Sequence, residues 1–160
     1  MTDEKALLRR LAVQERFESY AASLDALDWD SFLDCFVDEA DYRVISRENA
    51  DRGLPLAAIR CESKDMLRDR VHSIQETMMY EPRYVRHLVS GVRVTAHVGD
   101  ALQAQANYCV FETLVDEPTR VLQVGRYEAE IDWAGEARRF RRLHCIFDSV
   151  LVPNSLIYPI

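Results

Sequence analysis

Apolar side chains recur along the first part of the chain at helical spacing. From Asp3 to Leu24, the residues Leu7, Leu11, Phe17, Tyr20, Ala21 and Leu24 fall near one face and polar residues fill the other, which predicts an amphipathic helix. Asp28 is suited to cap a short second helix in which Trp29, Phe32, Leu33 and Phe36 form the apolar side until Asp38 and Glu39 interrupt it. Ala40 to Ser46 alternates, with Tyr42 and Val44 on one face, and predicts a strand; Asn49 to Pro55, rich in turn formers, predicts a loop. Ser63 is a good N-cap for a third helix, whose stripe of Leu67, Val71, Ile74 and Met78 runs until Pro82.

After Pro82 the period changes. Tyr84–Val98, Ala101–Val115, Val121–Trp133 and Ala137–Leu151 are rich in β-branched and aromatic residues and are separated by short Gly, Asp or Pro punctuation, which predicts an antiparallel meander of long strands. In the third of these, Val121, Tyr127, Ala129, Ile131 and Trp133 share one parity while Arg126, Glu128, Glu130 and Asp132 share the other, so one face is expected to be buried and one wet. Helices first and a curved sheet afterwards predict an α+β cone, with about three helices plugging the concave face. No repeat or linker divides the chain, so residues 1–160 are expected to form one domain.

Composition narrows the function. With 48% hydrophobic and 29% charged residues, the chain can bury a core without disulfide or metal staples. The acidic start, Met-Thr-Asp-Glu-Lys, and the absence of a long apolar run predict neither export nor membrane anchoring, and a cytoplasmic location. Cys35, Cys61, Cys109 and Cys145 lie far apart inside regular segments and are expected to be reduced thiols. A net charge of −7 argues against nucleic acid as a partner, and the cluster Arg138, Arg139, Arg141 and Arg142 is expected to be the solvated face of a strand.

Three stretches resemble the β subunits of bacterial aromatic-ring-hydroxylating oxygenases. They are Arg47-Glu48-Asn49 through Gly53-Leu54-Pro55 to Asp65–Val71; the run Tyr80-Glu81-Pro82-Arg83-Tyr84-Val85-Arg86-His87-Leu88-Val89; and Cys145–Ser149 with the tail Pro153–Ile160. With Gly125-Arg126-Tyr127 the likeness spans nearly everything from Trp29 onward, and the tail and Arg-Glu-Asn loop look most like the salicylate 5-hydroxylase and anthranilate dioxygenase small-subunit branch. Where many of those relatives carry Asn, this chain has Gly91. The resemblance implies the fold of nuclear transport factor 2 and the polyketide cyclases. It further implies a structural, non-catalytic role in an α3β3 assembly that oxidises a benzoate-type acid. A Rieske [2Fe–2S] cluster and a mononuclear Fe(II) would sit in the partner α subunit, and ferredoxin and reductase components would supply electrons.

The residues themselves fit that division of labour. A Rieske cluster needs paired Cys and His ligands on short loops, yet the residues two beyond each cysteine are Val37, Ser63, Phe111 and Phe147. His72, His87, His97 and His144 form no closely spaced pair, so no metal site is expected, and the five glycines never cluster into a phosphate loop. The rival reading is a free-standing cavity enzyme of the ketosteroid isomerase, cyclase or dehydratase type. Its acid–base pair would be His144 and Asp148, about 13 Å apart on one strand face. A third reading, a pure binding module on the same cone, predicts a dimer. Arg86 and His87 are read as a subunit contact or salt bridge rather than a substrate anchor. Met66, Met78 and Met79 are read as core filler. The tail residues Asn154, Leu156, Ile157, Tyr158 and Ile160 should be docked, on their own sheet or on a partner, and with the long strands are expected to contribute to subunit contacts.

Overall fold

The computed structural model describes residues 2–149, 151 and 156–160, residues 2 and 3 by their backbone alone. Helix α1 (Thr2–Asp25) leads and leaves through Leu27 in a left-handed conformation (φ 54°), followed by α2 (Trp29–Asp34). Asp28 caps α2 as the sequence predicts, its side chain accepting from the Ser31 backbone N–H at 3.1 Å. Strand β1 (Phe36–Ser46) is longer than its alternating core suggests. Phe36 belongs to it rather than to the helix, because the chain is held in the sheet by the Phe140 N–H donating to the Cys35 carbonyl at 2.7 Å.

The expected loop after β1 opens as a short helix, α3 (Arg47–Asp51), capped by Ser46, and β2 (Ile59–Cys61) is a strand too short to show in the sequence pattern. Ser63 caps α4 (Lys64–His72), whose Leu67 and Val71 are buried. A π-type turn over Ser73–Thr77 then breaks the stripe, so Ile74 stays in the core while Met66, Met78 and Met79 are exposed instead of filling it.

The long strands β3 (Arg83–Val98), β4 (Ala101–Leu114), β5 (Arg120–Asp132) and β6 (Phe140–Phe147) form the expected antiparallel meander. The six-stranded sheet has the order β2-β1-β6-β5-β4-β3, with β1 and β6 parallel, so the sheet is mixed. Gly91 sits in the left-handed region (φ 62°) at a register shift between Ser90 and Arg93. This backbone conformation suits Gly, and Asn better than most other residues. A bulge at Leu122, opposite the step from Val110 to Phe111, inverts parity in β5: Gln123, Gly125, Tyr127, Ala129 and Ile131 face inward, and Val121 faces out.

Helices α1, α2 and α4 cover the concave face of the curved sheet, and α1 packs along the edge strand β3. Val13, Phe17, Tyr20 and Leu24 of α1 meet Phe32, Phe36, Tyr42, Tyr127 and Phe140 in a core dense with aromatic pairs, such as Phe17 on Tyr127 at 5.6 Å and Phe32 on Phe36 at 5.3 Å. On the outer face, Ile45 and Ile146 are buried beneath α3, which explains why those two apolar residues break the alternation. Among the described residues, no helix is long and apolar enough to cross a membrane.

Candidate functional site

The concave interior, where a cavity enzyme would hold its substrate, is filled by the protein's own chain. Ile157, Tyr158 and Ile160 are buried there. Arg70 on α4 holds the segment by donating to the carbonyls of Leu156 and Ile157 at 2.8 and 2.9 Å, and Tyr158 packs edge-on against Trp29 and Tyr80. At the centre, the Tyr20 hydroxyl, the Tyr42 hydroxyl (3.3 Å) and the Cys145 thiol (3.0 Å) converge on the Ile160 carbonyl oxygen, and the Ile160 N–H donates to Tyr42 at 2.8 Å.

Burial pushes the Cys145 thiol up to about 12 and holds the Tyr20 and Tyr42 phenols well above their ordinary range. These groups therefore act as neutral donors, and none is an activated nucleophile. On β3, His87 points inward, its Nδ1 2.7 Å from Asp25, which also accepts the His87 backbone N–H at 3.0 Å. Among the described residues, the buried His87 Nε2 and Tyr127 hydroxyl meet no hydrogen-bond partner.

The structure does not bring the expected acid–base pair together. Leu143 and Cys145 face the core, so His144 lies on the outer face of β6, where its Nε2 is 2.8 Å from Asp41. Burial lowers the His144 pKa, outweighing the pull of Asp41; Asp41 is itself held below its usual range, its partial burial offset by hydrogen bonds from Arg43 and His144. Asp148 is exposed and pairs with Arg47 at 3.2 Å. The described residues do not form an iron site either. His87 and His144 face opposite sides of the sheet, each bound to its own aspartate, and among the described residues no three His, Cys, Asp or Glu side chains converge on a metal position. The arginine cluster is tied into the fold: Arg139 binds Asp34, Arg141 binds Asp100 and Asp132, and Arg138 stacks on Trp133 at 3.7 Å.

What the molecule does present is an outer sheet face divided in two. Around β1, β6 and the second half of β5 it is a lattice of charges: Arg43 to Asp41 at 2.8 Å, and Arg126 to Glu128 and Asp51 at 3.0 and 3.1 Å. Around β3, β4 and the start of β5 it is apolar. Leu88, Cys109 and Val124 form one cross-strand row; the next row holds Phe111 and Val121 opposite Arg86. Tyr84, Leu88, Val121 and Val124 are 81%, 54%, 55% and 44% exposed. Beside Tyr84 a concavity is lined by Pro82, Leu114, Val115, Asp116 and Glu117. The polar row Ser90, Asn107, Arg126 bounds the patch.

Of the expected contact residues, Arg86 is exposed on this face and reaches Asp25 at 3.5 Å, and Leu156 is half-buried. His87, Ile157, Tyr158 and Ile160 are buried in the chain's own core. Asn154 lies outside the described residues. Sequence reasoning passed over Leu88, Cys109, Phe111 and Val124. The only local signal is that the outward parity carries the apolar Tyr84 and Leu88 in β3 and Cys109 and Phe111 in β4 among polar neighbours, which the register then gathers into one patch.

Residues 20–154 match the family described as ring hydroxylating beta subunit. The anthranilate 1,2-dioxygenase small subunit of Burkholderia cepacia is 30% identical over 141 residues, which are 88% of each chain. The terephthalate 1,2-dioxygenase terminal oxygenase component subunit beta 2 of a Comamonas species is 25% identical over 144 residues, 89% of this chain and 92% of its own. Among solved structures, the β subunit of a protein assigned to the aromatic-ring-hydroxylating dioxygenases of Novosphingobium aromaticivorans superposes with a TM-score of 0.88 at 34% identity, covering 97% of this chain and 99% of that one.

Proposed function

Because the chain belongs to the ring hydroxylating beta subunit family, we propose that it is the structural subunit of a terminal oxygenase that oxidises an aromatic acid of the benzoate type. In this reading it assembles with the large, iron-carrying subunit as α3β3 in the cytoplasm, and the Rieske [2Fe–2S] cluster and mononuclear Fe(II) reside in that partner. Electrons reach the partner from NAD(P)H through separate ferredoxin and reductase components. The chain contributes rigid placement, which fixes the distance between redox centres in neighbouring large subunits.

The observation that carries this reading is the apolar stripe on the outer face of a chain whose concave interior is already filled. A free-standing cavity enzyme needs the reverse arrangement, an open interior and a wet exterior. The aromatic-acid substrate is supported by the names of the relatives, which are dioxygenases of anthranilate and terephthalate.

The test is reconstitution. The large subunit of the same operon, purified without this chain, should keep its iron but lose most of its coupled turnover of benzoate-type acids, and adding this chain should restore it. Full activity of the large subunit by itself would remove the structural role. Intrinsic turnover of a cyclic ketone by this chain would replace it with the cavity-enzyme reading.

A further inference from the structure

Within the apolar cone, one cross-strand row carries polar side chains at both ends. His87 on β3, Val110 on β4 and Gln123 on β5 are neighbours across the sheet, and His87 and Gln123 are 6% and 4% exposed. Tyr108, the next inward residue of β4, reaches this row, its hydroxyl donating to Gln123 Oε1 at 2.7 Å. Tyr127 in turn stacks on Tyr108 at 4.4 Å and on Phe17 at 5.6 Å. Burial holds the Tyr127 phenol above its ordinary range, and Cys145, Tyr108, Tyr42 and the Asp25 carboxylate raise it further, so Asp25 lies within electrostatic reach of that hydroxyl.

Asp25, the last residue of α1, decides what the His87 ring can offer. Its carboxylate accepts the His87 backbone N–H at 3.0 Å and faces Nδ1 at 2.7 Å; a carboxylate only accepts, so the proton of the neutral ring sits on Nδ1 and Nε2 is an acceptor. The His87 side chain and Tyr127 are both 0% exposed, and neither Nε2 nor the Tyr127 hydroxyl meets a partner among the described residues. One atom lacks a hydrogen and the other has one to give. Buried polar groups are seldom left unpaired, because they lose their hydration without compensation. A guest that suits both must accept from one and donate to the other, as a hydroxyl does. Phe17, Tyr20 and Tyr108 already pack around Tyr127, which restricts that guest to the smallest hydroxyl compound.

We propose that the interior of the cone is a binding site for one water molecule, held between the Tyr127 hydroxyl and the His87 Nε2. The water accepts from the phenol and donates to the imidazole, which is nearly as favourable as a direct hydrogen bond. The chain Asp25, His87, water, Tyr127 then ties the end of α1 to the edge strand β3 and to β5 by polar contacts, in a core otherwise held by aromatic packing. The site lies within a single chain and is independent of the subunit reading.

Thermal denaturation of the full chain and of three variants tests this, together with a crystal structure of the wild type. Tyr127→Phe removes the hydroxyl and nothing else. His87→Asn keeps a side-chain N–H near the position of Nδ1, toward Asp25, and removes Nε2. With the water bound, Tyr127→Phe lowers Tm by about 3–6 °C. In the His87→Asn background the same substitution lowers it by less than half as much, because the bridge is already broken. The crystal shows one density peak about 2.7–3.2 Å from both atoms.

A Tyr127→Phe chain as stable as wild type, or more stable, overturns the proposal, since removing an unpaired buried hydroxyl does not destabilise. Equal losses in the two backgrounds also overturn it and place the partner of the hydroxyl away from His87. A crystal in which the two side chains bond directly, or have only apolar atoms between them, does the same. Should His87→Asn fail to fold, the Tyr127→Phe midpoint and the wild-type density decide between the outcomes without it. Failure of the subunit reading would leave all of these measurements unchanged.

Discussion

Replacing Glu112 by Gln should destabilise this protein more than any other single loss of a formal charge on its strands. Glu112 is 1% exposed at the inward side of β4, where its carboxylate accepts from Arg83 at 2.8 Å and from Arg120 at 3.0 and 2.7 Å, beneath the docked residues 156–159. Glutamine keeps the shape and one acceptor, but turns an amide N–H₂ toward a guanidinium that can only donate. Each charge-assisted hydrogen bond contributes on the order of 1.5–3 kcal/mol. The two residues do not lose equally, since Arg120 is 53% exposed and rehydrates, whereas Arg83 at 13% largely cannot.

Removing one member of a buried pair costs about 3–5 kcal/mol when the survivor is sealed in, so with one partner half free the expected loss is about 2–4 kcal/mol. For a chain of this size that lowers Tm by roughly 4–16 °C. Equilibrium urea unfolding at neutral pH measures it, with the slope unchanged from wild type and the exposed Glu117→Gln as a control within about 0.5 kcal/mol. A loss below about 0.5 kcal/mol for Glu112→Gln would refute the reasoning, because the cluster would then be an ordinary solvated ion pair.

Other consequences follow from single atoms. A Cβ at Gly125 would meet the Ile146 carbonyl oxygen at 2.0 Å, so Gly125→Ala should cost about 2 kcal/mol or more by forcing β5 and β6 apart, whereas Gly53→Ala, with open space around it, pays only for its positive φ, about 1 kcal/mol. Because burial depresses the folded pKa of His144 below its ordinary 6.5, the unfolded chain takes up a proton that the folded one resists. Stability should therefore fall as pH drops from about 7 through that range until the folded group also titrates. Denaturation midpoints from pH 7 to 5 should be flatter in His144→Gln, and an unchanged slope would show that His144 is not the group responsible. Cys35, Cys61 and Cys145 are buried and Cys109 is half-buried on the outer stripe, so a thiol reagent should label Cys109 before the other three in the native protein; equal rates for all four would contradict this burial.

The meander was legible in the sequence because β-branched and aromatic residues keep a twofold period over long runs, and helices α1, α2 and α4 because Asp28 and Ser63 announce caps before apolar stripes. What could not be read was decided by tertiary contact. Phe36 continues the helical spacing of Trp29, Phe32 and Leu33, yet pairing with Phe140 draws it into the sheet. Leu7 and Leu11 fit the stripe of α1 but lie beyond the edge of the core that receives Phe17 and Tyr20.

Strand parity groups His144 with Arg142 and Ile146 and says nothing of which face is concave, so the acid–base pair was placed in a cavity it does not line. Residues 156–160 are held inside the chain's own cone through Arg70, Tyr20 and Tyr42, residues 86 to 140 positions away in the chain, so this destination could not be read locally. Family membership was legible from short stretches such as Tyr80–Val89, whereas the outer stripe appears only when β3, β4 and β5 are set in register.

The central claim, that this chain is the structural subunit of an iron-carrying oxygenase, is tested most directly by native mass spectrometry of the chain co-expressed with the large subunit of its operon, with iron counted in each. The account predicts one species holding equal numbers of the two chains, three of each, with all iron leaving with the large subunit on dissociation. A chain that remains a dimer by itself, ignores the large subunit, or carries the iron contradicts it.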